Sequence, residues 1–151
     1  MMLVAKPLDK MFKKDKTKST EIDVSYLEDA WEYLKNASAN EGHITGNAMI
    51  SFVQGNDKET VRDLQKLSEA RKMRKQVGDI ISTHVKKQNW CRVSKHIPLQ
   101  AMTCQELISR HLSLNEYEQA KKLLETYERL YRTWLEELGV TEKNAKMKTE
   151  A

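Results

Sequence analysis

Only two prolines, five glycines and two cysteines occur among the 151 residues, and each shortage removes a class of architecture. Proline and glycine punctuate turn-rich β folds, so their scarcity beside a charged content of 32% predicts an all-α chain. Cys91 and Cys104 can close at most one bridge and no secretory signal precedes them, which leads us to expect reduced thiols and a cytoplasmic location. No apolar run approaches the roughly 20 residues that span a bilayer, so no membrane is expected as a partner. The first residues hold too short an apolar stretch for a signal peptide, and Asp9 and Asp15 argue against a mitochondrial transit peptide. Catalytic signatures are missing as well: there is no glycine-rich phosphate loop, no nucleophile elbow and no histidine pair at helical metal spacing. His43 beside Glu41, and the carboxylates Glu28, Asp29 and Glu32, read more simply as a charged outer helix face than as an acid and a base. The expectation is a protein that is not an enzyme and carries no cofactor.

What the chain does have is charge, unevenly placed. Residues 1–20 carry six lysines against two aspartates, and residues 21–60 reverse this with two cations against eight carboxylates. Residues 61–100 hold ten Lys and Arg against three Asp and Glu, a net of +7 within a chain of +4. Such a block either meets an anionic partner or pairs internally with the acidic first helix.

Apolar spacing sets out about five helices in an irregular bundle, closed by a long amphipathic helix at the C-terminal end. Residues 1–20 read as a flexible basic arm, 21–139 as the helical domain and 140–151 as a disordered tail. Leu27, Ala30, Trp31 and Leu34 mark a first helix over about 23–37, ended by the small polar run Asn36 to Gly42. A shorter apolar helix follows from Ile44 to Val53, stopped by Gly55. Asn56 or Asp57 can cap a third helix starting at Lys58 and running to about Gln88. Its apolar face turns: Val61, Leu64 and Leu67 point one way, while Met73, Val77, Ile80 and His84 point another. Either the helix breaks near Ser68 to Lys72, or one straight helix meets different neighbours along its length. Asn89 to Leu99 reads as a connector ended by Pro98. Thr103-Cys104-Gln105-Glu106 and Ser113-Leu114-Asn115-Glu116 both match the capping box, and so bracket a short helix and launch the long one.

Along that last helix Tyr117, Ala120, Leu124, Tyr127, Tyr131, Trp134 and Leu138 recur at three- and four-residue steps. Tyr127, Tyr131 and Trp134 are candidates for an oligomer or partner interface, because aromatics give large contact area at little rotamer cost. Packing against the first helix of the same chain is the simpler alternative. The run Asn115 to Leu124 looks like one helix of a helical-repeat protein, but no second copy follows at a 34-residue period, so repeat architecture is not expected.

Candidate nucleic-acid contacts are Arg71, Lys72, Arg74, Lys75, Lys86, Lys87, Arg92 and Lys95, with Trp90 as a stacking surface for an unpaired base. A helix-turn-helix drawn across Gly55 would present Asp57, Glu59 and Asp63 to phosphates, so a structural helical hairpin is the better reading there. Cys91, His96, Cys104 and His111 have the chemistry of zinc ligands, but their gaps fit no compact finger, and no metal is expected. Cys91 with His96 five residues on has the makings of a thiol nucleophile, yet no orienting third group accompanies it. The leading expectation is an accessory factor that binds the phosphate backbone of DNA or RNA with little sequence preference. The alternative is a protein-interaction module, an adaptor or inhibitor, docking through exposed aromatic and acidic helix surfaces. In that case Trp31, Tyr33, Tyr127, Tyr131 or Trp134 would supply the anchor, wherever one is exposed.

Overall fold

The computed structural model describes residues 22–81, 89–140 and 145–146. Among these the chain forms four helices: α1 (Val24–Val53), α2 (Asp57–Ile81), α3 (Ile97–Ser113) and α4 (Tyr117–Glu137). A π-helical turn, Arg92–His96, leads directly into α3. Ile22–Asp23 and Ala145–Lys146 touch as a two-residue parallel pairing that is too short to form a layer. The all-α class stands, with four helices where apolar spacing suggests about five. The basic arm of residues 1–20 lies outside the described residues, as do His84, Lys86, Lys87 and most of the C-terminal tail.

The missing boundary is the one expected at Asn36 to Gly42. Buried positions on α1 run Leu27, Ala30, Trp31, Leu34, Lys35, Ser38, Glu41 and Ala48, so the inward stripe continues unbroken through the small polar stretch. Tertiary packing on that face outweighs the weak helix preference of Asn, Ser and Gly. Asn36 is further held by its side-chain amide, which donates to the Glu32 carbonyl at 2.9 Å. Asp23 caps the start, its carboxylate accepting from the Ser25 N–H at 2.9 Å.

Three helices end in the same way. The N–H of Asn56 donates to Ser51 O and that of Gly55 to Phe52 O, with Gly55 at φ +73°. Glu116 and Asn115 repeat the pattern on His111 O and Leu112 O, and Val140 and Gly139 repeat it on Leu135 O and Glu136 O. This is the Schellman arrangement, which needs a left-handed residue after the helix. Glycine supplies that residue twice, and Asn115 at φ 59° supplies it once. The second capping box therefore does not form: Ser113 is the last residue of α3, and its hydroxyl donates back to Arg110 O at 2.7 Å. The first box lies inside α3, where the Thr103 hydroxyl donates to Leu99 O at 3.1 Å. Pro98 sits in the first turn of α3, directly after the π turn, instead of closing a connector.

Short turns make two antiparallel hairpins, α1 with α2 and α3 with α4. Ser51 against Asp63 and Glu41 against Arg74 fix the register of the first. α2 is continuous through Ser68 to Lys72 and buries Asp63, Leu67, Ala70, Arg74, Val77, Gly78 and Ile81. The helix is unbroken, and its buried face does not turn: Val61, Leu64 and Met73 lie off that stripe and stay exposed, while His84 lies outside the described residues. The hairpins dock through a core of Leu27, Trp31, Leu34, Val77, Ile81, Val93, Ile97, Trp134 and Leu138. At the seam α2 meets the π turn without a side chain between them: a Cβ on Gly78 would fall 2.6 Å from the Ser94 Cβ.

Candidate functional site

Three surfaces follow from this arrangement: the aromatic stripe, the basic block, and the free ends of the hairpins. The stripe packs inward from Tyr127 onward, while Tyr117 and Leu124 stay exposed. Trp134 is fully buried and its indole N–H donates to Val93 O at 2.9 Å. Trp31 lies with its ring centre 5.0 Å from Trp134 and 5.2 Å from Tyr131, and its own N–H donates to the Tyr127 hydroxyl at 3.0 Å. Tyr127, Tyr131 and Trp134 therefore join α4 to α1 within one chain, with Trp134 fully buried and the two tyrosines half-buried beside an open cleft. Aromatic contacts of this kind contribute about 1 kcal/mol each beyond their buried area.

A buried lysine completes the seam. Lys35 is 1% exposed, and its ammonium donates to Glu32 Oε1 at 2.8 Å, Gln105 Oε1 at 2.8 Å and the Tyr127 hydroxyl at 2.6 Å. All three of its protons find acceptors, and the charge lies 4.9 Å from the Tyr127 ring centre, so burial is compensated. Tyr131 is less well served: its hydroxyl is buried without a hydrogen-bond partner. Burial, with Glu28, Tyr127 and Glu32 adding negative charge nearby, pushes its phenol up to about 12.

The basic block divides. Arg74 is buried, its Nε donating to Glu41 Oε2, with Nη1 3.4 Å from Ser94 Oγ. It ties α2 to α1 and to the π turn, and it cannot reach a phosphate. Arg92 is committed to Glu137 at 3.0 Å. Half-buried Trp90 has the exposed Lys75 over one ring face, its Nζ 5.4 Å from the ring centre. Arg71 and Lys72 remain exposed; Arg71 approaches Glu41 at 3.7 Å and Lys72 approaches Glu69 at 3.9 Å, both too long for hydrogen bonds. Lys95 is half-buried. Among the described residues the acids that engage this block are Glu41, Glu59, Glu69 and Glu137, whereas the outer acids Glu28, Asp29 and Glu32 line a cleft beside Tyr127 and Tyr131.

The hairpin ends are where apolar surface lies open. Met49, Ile50, Phe52 and Val53 finish α1, Val61 and Leu64 begin α2, and each of the six is more than half exposed. A shallow groove of 790 Å³ between α1 and α2, with Ile44, Ala70 and Met73 in its walls and Arg62, Lys66 and Glu69 around them, runs along the same hairpin. The α3–α4 end repeats the feature with Leu114 and Tyr117 more than half exposed, and Leu107, Leu112 and Leu124 somewhat less so. Val61 and Leu64 were legible as an apolar pair, and Tyr117 and Leu124 as part of the α4 stripe. Periodicity alone could not show that the partner helix stops short of them.

The four thiol and imidazole groups do not assemble. Among the described residues no three His, Cys, Asp or Glu side chains are placed to hold a metal ion. His111 is instead 3.2 Å from Glu116, while Cys91 Sγ and His96 Nε2 come within 3.3 Å of each other. No helix among the described residues is long and apolar enough to cross a membrane. Comparison with protein-family models, with curated proteins and with solved structures gives no match.

Proposed function

We propose that this chain is a non-enzymatic protein-interaction module that docks through the apolar free end of its α1–α2 hairpin. The carrying observation is that Met49, Ile50, Phe52, Val53, Val61 and Leu64, all near the turn that joins α1 to α2, each stand more than half exposed. Apolar side chains gathered at one end of a hairpin and left in water carry an aggregation liability unless a partner covers them. Phe52 and Met49 are the side chains suited to anchor an interface, since aromatic residues and methionine are enriched at interface cores. The partner surface this chemistry fits is an apolar helix face or pocket on a protein. A photocrosslinking residue at position 52 is expected to give a discrete protein adduct in cell extract, and the same probe at Glu125 on the polar face of α4 is expected to give none. Adding Val53→Ser should weaken the adduct while thermal unfolding stays unchanged within about 0.5 kcal/mol. No adduct at position 52 removes the reading.

Phosphate-backbone binding is the second reading, supported by the exposed Arg71 and Lys72 on α2 within a segment of net +7. Charge reversal of Lys72 and Lys75 is expected to weaken binding to DNA or RNA and to flatten its salt dependence by about one unit of slope for each phosphate no longer neutralised. Unchanged isotherms remove this reading.

A further inference from the structure

Cys91 is exposed, and its sulfur lies 3.3 Å from the Nε2 of His96, which is also exposed. The two are five residues apart, a separation that an α-helix does not superpose. The π-helical turn Arg92–His96 adds the extra residue per turn that brings position 96 back over position 91. That turn is not free to relax. Its Val93 carbonyl accepts from buried Trp134, Ser94 is pressed against Gly78, and its Arg92 guanidinium is held by Glu137. The pair is therefore preorganised by the core beneath it while both reactive groups face solvent. Lys95, one helical turn after Cys91, and Lys75, whose ammonium covers the neighbouring Trp90, add positive charge to the same end of the seam. The other thiol has none of this: Cys104 is partly covered, with burial pushing its pKa up.

We infer that Cys91 and His96 form a thiol–imidazole pair that undergoes thiol–disulfide exchange with anionic low-molecular-weight disulfides, making Cys91 a reversible S-thiolation site. His96 Nε2 takes the Cys91 proton, and the thiolate attacks one sulfur of the small disulfide. The disulfide's S–S bond breaks as the new one forms, and its second sulfur leaves as a thiolate that recovers the proton from the imidazolium. Cys91 sulfur is oxidised, one sulfur of the reagent is reduced to a free thiol, and no further oxidant is needed. The inference stands apart from the docking reading, because the pair lies on the π turn and not at a hairpin end.

The test uses the full chain with glutathione disulfide at neutral pH, following each cysteine by peptide mass. Cys91 is expected to acquire the glutathionyl group at least about tenfold faster than Cys104, consistent with a thiolate-favouring neighbour. His96→Gln should slow Cys91 by roughly tenfold near pH 7, and the difference should close at alkaline pH, where a thiol ionises unaided. A purely structural role for His96 would leave the pH profile of Cys91 unmoved. Uncharged bis(2-hydroxyethyl) disulfide should react more slowly than glutathione disulfide after correction for intrinsic reactivity with a free cysteine peptide. Equal rates at the two cysteines, or a His96→Gln protein as reactive as the parent at pH 7, overturn the inference, and equal corrected rates for the two reagents overturn its anionic preference. If His96→Gln does not fold, the pH profile of the parent decides: a Cys91 profile identical to that of a free cysteine peptide overturns it.

Discussion

Glu41 and Arg74 show how a single contact changes what a residue can do. The guanidinium that sequence places on a basic face is buried against a carboxylate 33 positions earlier, with Ser94 on its other side. Removing one member of a buried pair strands the other, so Glu41→Gln is expected to cost about 3 kcal/mol in urea unfolding. The double variant Glu41→Met with Arg74→Met should recover more than half of that loss, because apolar replacement removes both desolvation penalties at once. Tyr131 gives a pH signature at the same scale. Its folded pKa of about 12 lies above the usual value of 10, so between these limits the folded state binds more protons than the unfolded one. Its contribution to stability is complete below about pH 10 and is lost as pH rises toward 12. Phenolate absorbance should accordingly show a late step that disappears in Tyr131→Phe.

Two glycines in two helices separate local preference from packing. A methyl group added at Gly46 in α1 would have nothing within 4 Å, whereas at Gly78 in α2 a Cβ would meet Ser94 at 2.6 Å. Alanine is the better helix former at both, by about 0.5–1 kcal/mol. Gly46→Ala is therefore expected to raise the melting temperature. Gly78→Ala should lower it, since forcing the π turn away from α2 costs about 1–3 kcal/mol and outweighs the propensity gain. Calorimetry on the two variants checks the opposite signs. The π turn matters for more than packing, because it aligns Cys91 with His96; a change that relaxes it to regular α-helix would separate them.

At the scale of the molecule, the hairpins are joined by one continuous core and closed by the Trp31, Tyr131 and Trp134 cluster. Unfolding should be a single transition in which near-ultraviolet and far-ultraviolet signals coincide. Trp134→Ala should cost about 3–5 kcal/mol and shift both signals together. Separate transitions would show that the hairpins stand independently. The apolar ends stay open: Phe52 and Leu114, each beside the turn of its hairpin, are exposed.

Composition and spacing alone determined the helical class, the inward stripe of α1, the stop at Gly55 with Asn56 beside it, and the aromatic row of α4. These are local properties, set by backbone preference and by a 3.6-residue period. Tertiary structure decided the rest. It carried α1 through Asn36 to Gly42, buried Arg74 and packed Tyr127, Tyr131 and Trp134 against α1. Each of those outcomes depends on a partner distant in sequence, and the energy of burying a group is fixed by what that partner offers it and not by the residue itself.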